Sequence, residues 1–159
     1  MADGEGLLGP RMRKNLNKKT LVLDLDETLV HSSFKPPENS DIVLPVDIDG
    51  KVCYVYVLVR PGTLTFLQEL AQYYEIAIST ASLSKYAEPL MKILDQGLWC
   101  SHHLFREHCT FYNGIFVKDM QMLGRWMQDI IIIDNSPSSY LFQPENALPI
   151  TSWYDDKED

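Results

Sequence analysis

Apolar positions along the chain fall into short continuous runs, separated by segments in which apolar residues recur at helical spacing. Three runs predict buried strands, and they read TLVL at 20–23, EIAIST at 75–80 and DIIIID at 129–134. Two intervening segments predict helices, because their apolar residues lie three or four positions apart. The first set is Leu64, Leu67, Leu70, Ala71 and Tyr74, after Pro61, and the second is Tyr86, Leu90, Ile93 and Leu94, before Gly97. Strands that alternate with helices predict an α/β fold with an open parallel sheet.

Residues 41–59 break this alternation and predict an antiparallel hairpin with its turn at Asp49-Gly50. A two-residue turn pairs Ile48 with Lys51, and the pairing continues outward along both strands. Alternate residues then share one face, which consists of Leu44, Val46, Ile48, Cys53, Val55 and Val57. This face either packs on the body of the protein or lines a binding pocket. We place the inserted hairpin at about 34–59, and a second hairpin at Asn113-Gly114.

Length and charge narrow the classes of protein that fit. The chain has 159 residues, enough for one domain with a sizeable core. We expect a flexible basic segment at 1–18 and a single domain at 19–159. Residues 1–19 sum to +3 and the remaining residues to −11, so the acidic body argues against direct nucleic-acid binding. We also expect no transmembrane segment and no secretory signal, because no apolar run is long enough.

Polar side chains with related chemistry follow the three predicted strands. Asp24 follows the first, Thr80 ends the second, and Asp134 and Asn135 end the third. Lys118 closes the second hairpin. Because ligands bind at the carboxyl ends of strands in open α/β sheets, we expect these side chains to converge.

Convergence of Asp24, Asp26 and Asp134 requires a neutralising partner, since like charges repel. Carboxylate and carbonyl oxygens are ligands that suit Mg²⁺. Lys118 and Thr80 are then suited to holding a phosphoryl group. Receiver domains use similar residues, but the order Asp-x-Asp, Thr, Lys, Asp-Asn differs from theirs and resembles the haloacid dehalogenase superfamily of phosphatases.

A narrower resemblance rests on several motifs: LVLDLDETLVHSSF, LVRPG, STASLSKYAEPL, LFREHC, FVKDM, LGR, IIIIDNSPSSY and ITSWYDD. Together they resemble the small phosphatases that act on the C-terminal domain of RNA polymerase II. The resemblance covers about Lys19 to Asp156. It implies a haloacid-dehalogenase-like, Rossmann-like three-layer fold with a parallel central sheet and a small β insertion after the first strand.

The resemblance also implies roles for individual residues. Asp24 is the expected nucleophile and forms an aspartyl-phosphate, and Asp26 is the expected general acid and base. Thr80 and Lys118 are expected to hold the phosphoryl oxygens. The implied Mg²⁺ ligands are Asp24, Asp134 and the backbone carbonyl of Asp26, with Asn135 in support.

A peptide pocket beside the active site is implied as well. Its expected residues are Phe34, Val46, Ile48, Val55 and Leu83, with Arg106 near the phosphate. The insertion is too small to enclose a metabolite, so we expect an extended phosphoserine-containing protein or peptide as the substrate.

We therefore expect a magnesium-dependent serine/threonine phosphatase that acts in the nucleus, with a cytoplasmic location as the alternative. Two other functions remain open: a phosphatase for another signalling or membrane-linked phosphoprotein, and a catalytically idle phosphopeptide scaffold. The sequence leaves the oligomeric state open. His102, His103 and His108 lack the spacing of a closed zinc site.

Overall fold

A computed structural model of the protein describes residues 4–159. Its centre is a five-stranded parallel sheet of β1 (Lys19–Leu23), β5 (Tyr74–Ser79), β6 (His102–Leu104), β9 (Ile130–Asp134) and β10 (Ala147–Pro149). The strand order is β10-β9-β1-β5-β6. The three strands predicted from apolar runs are therefore the three central strands, and the predicted α/β fold is confirmed.

Both faces of the central sheet are covered, which explains why its strands are apolar without alternation. On one face, Leu21 and Leu23 of β1 pack with Leu67 and Leu90 in the larger buried cluster. On the other face, Val22 packs in a second cluster, which also contains Ala77, Ile132, Met120, Leu123 and Tyr140. The core therefore lies in two layers on either side of β1.

Two α-helices connect the strands, α1 (Thr63–Leu70) and α2 (Ser84–Leu94). Gly62, directly before α1, has a φ of 83°, a backbone conformation that glycine adopts more readily than other residues. The predicted first helix extended to Tyr74, and this boundary was wrong because Tyr74 begins β5. Tyr74 is half-buried against the same cluster as Leu70, so a strand residue continued the apolar spacing of the helix. Residues 4–159 also contain five short 3₁₀ helices: Arg13–Asn15, Arg106–His108, Met120–Leu123, Met127–Asp129 and Pro144–Asn146.

The insertion after β1 is a three-stranded antiparallel sheet with the order β2-β4-β3. It consists of β2 (Val30–Ser33), β3 (Ile42–Ile48) and β4 (Lys51–Val59). The predicted register is confirmed, because Ile48 lies opposite Lys51 and the pairing continues through Val46–Cys53 and Leu44–Val55. Asp49 and Gly50 have φ values of 53° and 80°, as a type I′ turn requires.

The second hairpin joins β7 (Thr110–Tyr112) to β8 (Ile115–Val117). Its turn residues Asn113 and Gly114 also have positive φ values, 47° and 79°. This hairpin leads directly into Lys118, so its register fixes where that lysine leaves the sheet.

The N-terminal segment makes contacts that the sequence analysis did not anticipate. Leu8 is buried in the second core cluster, and the backbone N–H groups of Leu7 and Leu8 donate to the carbonyls of Met122 and Leu123. Residues 1–3 lie outside the described residues, and the flexibility expected of 1–18 stays a prediction. Across residues 4–159, no helix combines the length and apolarity needed to cross a membrane.

Candidate active site

The predicted functional side chains meet at the carboxyl end of the central sheet. Asp24 follows β1, Thr80 follows β5, and Asp134 is the last residue of β9. Because these strands are adjacent and parallel, their carboxyl ends open onto one cavity of about 410 Å³. The cavity also contains Lys118 from the end of the second hairpin.

Lys118 is the charged centre of this cavity. Its Nζ donates to Asp24 Oδ1 at 2.8 Å and to Asp134 Oδ2 at 2.7 Å. Burial by itself lowers the pKa of Lys118, but the two carboxylates outweigh it and hold that pKa above its ordinary value. The lysine therefore stays charged and holds both carboxylates together.

Asp24 is also oriented by a hydrogen bond from Thr28. Thr28 Oγ1 donates to Asp24 Oδ2 at 2.9 Å, so both carboxylate oxygens of Asp24 have partners. Burial raises the pKa of Asp24 to about 6, Lys118 acts against this rise, and Asp134 adds to it. At neutral pH the group is mainly ionised, as a nucleophile must be.

Asp26 faces a different set of partners, all of them hydroxyl groups. Its Oδ2 accepts from Thr80 Oγ1 at 3.1 Å and from Ser82 Oγ at 2.7 Å, and its Oδ1 accepts from Tyr86 OH at 2.9 Å. The phenol of Tyr86 also contacts Ser32. Ser82 and Tyr86 were not predicted as site residues, although Ser82 lies two positions after Thr80.

The donor set fits a hard divalent cation. Asp24 and Asp134 offer carboxylate oxygens held at the same lysine, and Asp134 Oδ1 is itself fixed by the backbone N–H of Ser136 at 2.9 Å. The side-chain N–H of Asn135 donates a hydrogen bond to Ser152 Oγ at 2.8 Å, so the amide oxygen of Asn135 is the atom suited to a cation or its water. Because the side chain of Asp26 faces the hydroxyl groups, its backbone carbonyl is the group suited to a cation.

A second cavity of about 430 Å³ adjoins the first and shares Asp26, Ser82 and Arg106 with it. We call this cavity the groove. The structure brings together all five residues predicted for a peptide pocket, and they line the groove: Phe34, Val46, Ile48, Val55 and Leu83. Phe34 is 65% exposed and Leu83 43%, whereas Val46 and Val55 are buried.

The sequence left open whether this face of the first hairpin packs on the body of the protein or lines a pocket, and different residues of the face do each. Leu44 and Val57 pack into the core, while Val46, Ile48 and Val55 also line the groove.

Arg106 lies where the two cavities meet. Its Nε donates to the carbonyl of Ala81 at 2.6 Å, and its guanidinium lies 4.9 Å from the centre of the Phe116 ring. These contacts fix the guanidinium at the rim of the cavity that Thr80 and Lys118 also line.

His102, His103 and His108 have separate partners. His102 contacts Glu75 at 3.1 Å, His103 contacts Asp95 at 3.3 Å, and His108 accepts from the backbone N–H of Phe105. Asp95, Cys100 and His103 place potential metal-ligand atoms within 4.8 Å of one another. The Asp95 carboxylate there already accepts the backbone N–H groups of Trp99 and Cys100.

Comparison with known protein families shows which family the chain belongs to. The family described as NLI interacting factor-like phosphatase matches residues 19–159. The chain belongs to this phosphatase family. The resemblance to a phosphatase family that the sequence motifs predicted is therefore confirmed.

Curated relatives of the family are about half identical to this chain. A probable C-terminal domain small phosphatase of Dictyostelium discoideum is 54% identical over 96% of this chain and 50% of its own length. A human CTD small phosphatase-like protein is 54% identical over 89% of this chain and 51% of its own length. The chain therefore spans about half the length of these relatives.

Solved structures support the fold. Fcp1, described as an essential RNA polymerase II CTD phosphatase, superimposes with a TM-score of 0.72 at 21% identity, over 86% of this chain and 42% of that chain. Fission yeast Fcp1-R271A bound to beryllium fluoride gives a TM-score of 0.69. At this identity the likeness concerns the fold, and it agrees with the predicted haloacid-dehalogenase-like architecture.

Proposed function

We propose that this chain is a magnesium-dependent protein serine/threonine phosphatase that works through an aspartyl-phosphate on Asp24. The observation that carries the proposal is the buried lysine that holds Asp24 and Asp134 together, beside a separately oriented Asp26. This arrangement provides a nucleophile, an acid–base group and a cationic phosphoryl-binding group in one cavity.

In the first step, an Asp24 carboxylate oxygen bonds to phosphorus and the bond from phosphorus to the serine oxygen breaks. Asp26 gives its proton to that serine oxygen, so the peptide leaves as the neutral alcohol. Thr80 and Lys118 hold the phosphoryl oxygens and stabilise their negative charge.

In the second step, water attacks phosphorus while Asp26 takes a proton from it. The bond between phosphorus and Asp24 breaks, and phosphate leaves with both carboxyl groups restored to their starting states. Asp24, Asp134, the Asp26 carbonyl and Asn135 would hold Mg²⁺. The bound ion would offset negative charge on the phosphoryl group.

The substrate proposal rests on the groove and on the names of the relatives. The groove is open and apolar at Val46, Ile48 and Val55, and it meets the active site at Arg106. An extended phosphopeptide fits such a surface better than a small metabolite does. Relatives include a human phosphatase named for the C-terminal domain of RNA polymerase II. We therefore propose phosphoserine in that domain, or in a similar extended Ser-Pro peptide, as the substrate in the nucleus.

The test is phosphate release with Mg²⁺ from phosphoserine peptides of the polymerase heptad, from unrelated phosphoserine peptides and from phosphotyrosine peptides. Asp24→Asn serves as the blank, and chelation of Mg²⁺ as a second control. Selective release from the heptad peptides is expected. Release from unrelated peptides alone would contradict the substrate, and no release from any peptide would contradict the activity.

A further inference from the structure

The second hairpin carries exposed aromatic side chains at the edge of the active site. Phe111 is 66% exposed, and its ring lies 5.2 Å from the ring of Phe116, its partner across the hairpin. The guanidinium of Arg106 covers Phe116. We call these three residues, Phe111, Phe116 and Arg106, the aromatic ledge. The ledge offers two rings and a cation on one continuous surface.

Phe116 of the ledge borders the active-site cavity outside the groove, whereas Arg106 lines both cavities. Phe116 and Ile115 line the active-site cavity but not the groove, whereas Val46 and Val55 line the groove but not the active-site cavity. The two cavities join through Asp26, Ser82 and Arg106. A peptide that runs from the groove past Asp24 can therefore reach Phe116 along the lining of the active-site cavity.

We infer that the aromatic ledge is a second peptide-binding subsite, which takes an aromatic side chain of the substrate. This inference rests on the proposed phosphatase function. The bound side chain lies a few residues from the phosphoserine, on the side away from the groove. The substrate class is thus an extended phosphoserine peptide held on both sides of the phosphate.

Two observations favour this occupant over water or a small ligand. The Phe111 ring is exposed rather than enclosed in a cavity, and the ledge is continuous with the active site through Arg106, which lines both cavities. Stacking of an aromatic side chain on Phe111 buries apolar surface that the chain itself leaves exposed. It also extends the Arg106–Phe116–Phe111 contact by one ring.

The test uses a set of phosphoserine peptides in which one Phe replaces Ala at each flanking position in turn. The enzymes are the unaltered chain, Phe111→Ala, Phe111→Tyr and the control Tyr73→Ala. Tyr73 suits the control because it is 67% exposed and lies between α1 and β5. Turnover of an aryl phosphate by each enzyme reports on the catalytic groups alone.

For the unaltered chain, Phe at a position on one side of the phosphoserine is expected to raise kcat/KM about 3- to 10-fold. Phe111→Ala abolishes this gain, while Phe111→Tyr and Tyr73→Ala keep it, and aryl phosphate turnover is the same in all four. The responsive position lies on the opposite side of the phosphoserine from the positions affected by Ile48→Ala.

A gain that persists in Phe111→Ala would overturn the inference, as would turnover of the peptides with no dependence on the position of Phe. Either result leaves the proposed phosphatase function intact. Absence of turnover with every phosphorylated probe would overturn the proposed function, and the subsite with it.

Discussion

Replacing Lys118 with Met is expected to destabilise the protein strongly when no divalent cation is present. The side chain is 2% exposed and is paired at 2.8 Å with Asp24 and at 2.7 Å with Asp134. Met fills a similar volume but leaves two carboxylates facing each other with no cation between them. Loss of one partner from a buried ion pair costs about 3–5 kcal/mol.

Urea unfolding measures this loss. With a slope of about 2 kcal/mol per molar urea, the midpoint falls by about 1.5–2.5 M. Mg²⁺ is expected to raise the midpoint of Lys118→Met more than that of the unaltered chain, because the variant's carboxylate pair carries one more uncompensated negative charge.

The matched control is Lys19→Met. Lys19 also pairs with an aspartate, Asp129, at 3.3 Å, but its side chain is 60% exposed, so the expected cost is about 0–1 kcal/mol. A Lys118→Met variant as stable as Lys19→Met without metal would refute the charge-balance reasoning. So would an equal effect of Mg²⁺ on the variant and the unaltered chain.

Three further predictions concern different parts of the molecule. Asp26→Asn keeps the fold but lowers kcat about 10²- to 10⁴-fold, because proton transfer to the serine oxygen and from the attacking water is lost. Steady-state rates with phosphoserine peptide measure this, and an unchanged rate would remove Asp26 from the mechanism. Ile48→Ala lowers kcat/KM for phosphopeptides about 3- to 10-fold, because it removes apolar surface from the groove. Turnover of an aryl phosphate is the internal control. Equal losses on both substrates would show that Ile48 supports the fold only. Burial alone raises the pKa of Glu75, but hydrogen bonds from His102 and Arg125 outweigh it and hold this pKa well below its ordinary range. These hydrogen bonds stabilise the folded protein fully at a pH above the pKa of Glu75 in the unfolded chain, about 4.3. The stabilisation is lost progressively as the pH falls from that value toward the lower pKa of Glu75 in the folded protein. The melting temperature of Glu75→Gln should therefore fall less between pH 7 and pH 3 than that of the control Glu69→Gln, and parallel curves would contradict this.

The sequence was sufficient to predict the central strands and the convergence of the candidate catalytic side chains. Short apolar runs bounded by polar residues occur where a strand is buried on both faces, and β1 and β9 meet that condition. Parallel pairing then brings Asp24 and Asp134 to one edge of the sheet. The register of the first hairpin was also predictable, because Asp49-Gly50 fits a type I′ turn.

Other features depend on contacts between distant parts of the chain, which local patterns do not report. Tyr86 has the spacing of a core residue on α2, yet its hydroxyl donates to Asp26, which lies 60 positions earlier. Strand β2 was missed because only four residues of it pair with β4. The contacts of Leu7 and Leu8 with Met122 and Leu123 were also missed, because the charged residues around Leu7 and Leu8 suggested a solvated segment.

The most direct test of the account is mass spectrometry of the protein quenched in acid during turnover of a phosphoserine peptide with Mg²⁺. We predict that one HPO₃ group is attached to Asp24 and that Asp24→Asn carries none under the same conditions. The fold of that variant is checked by circular dichroism. Phosphate on any other residue, or turnover by Asp24→Asn at an undiminished rate, would contradict the assignment of Asp24 as the nucleophile.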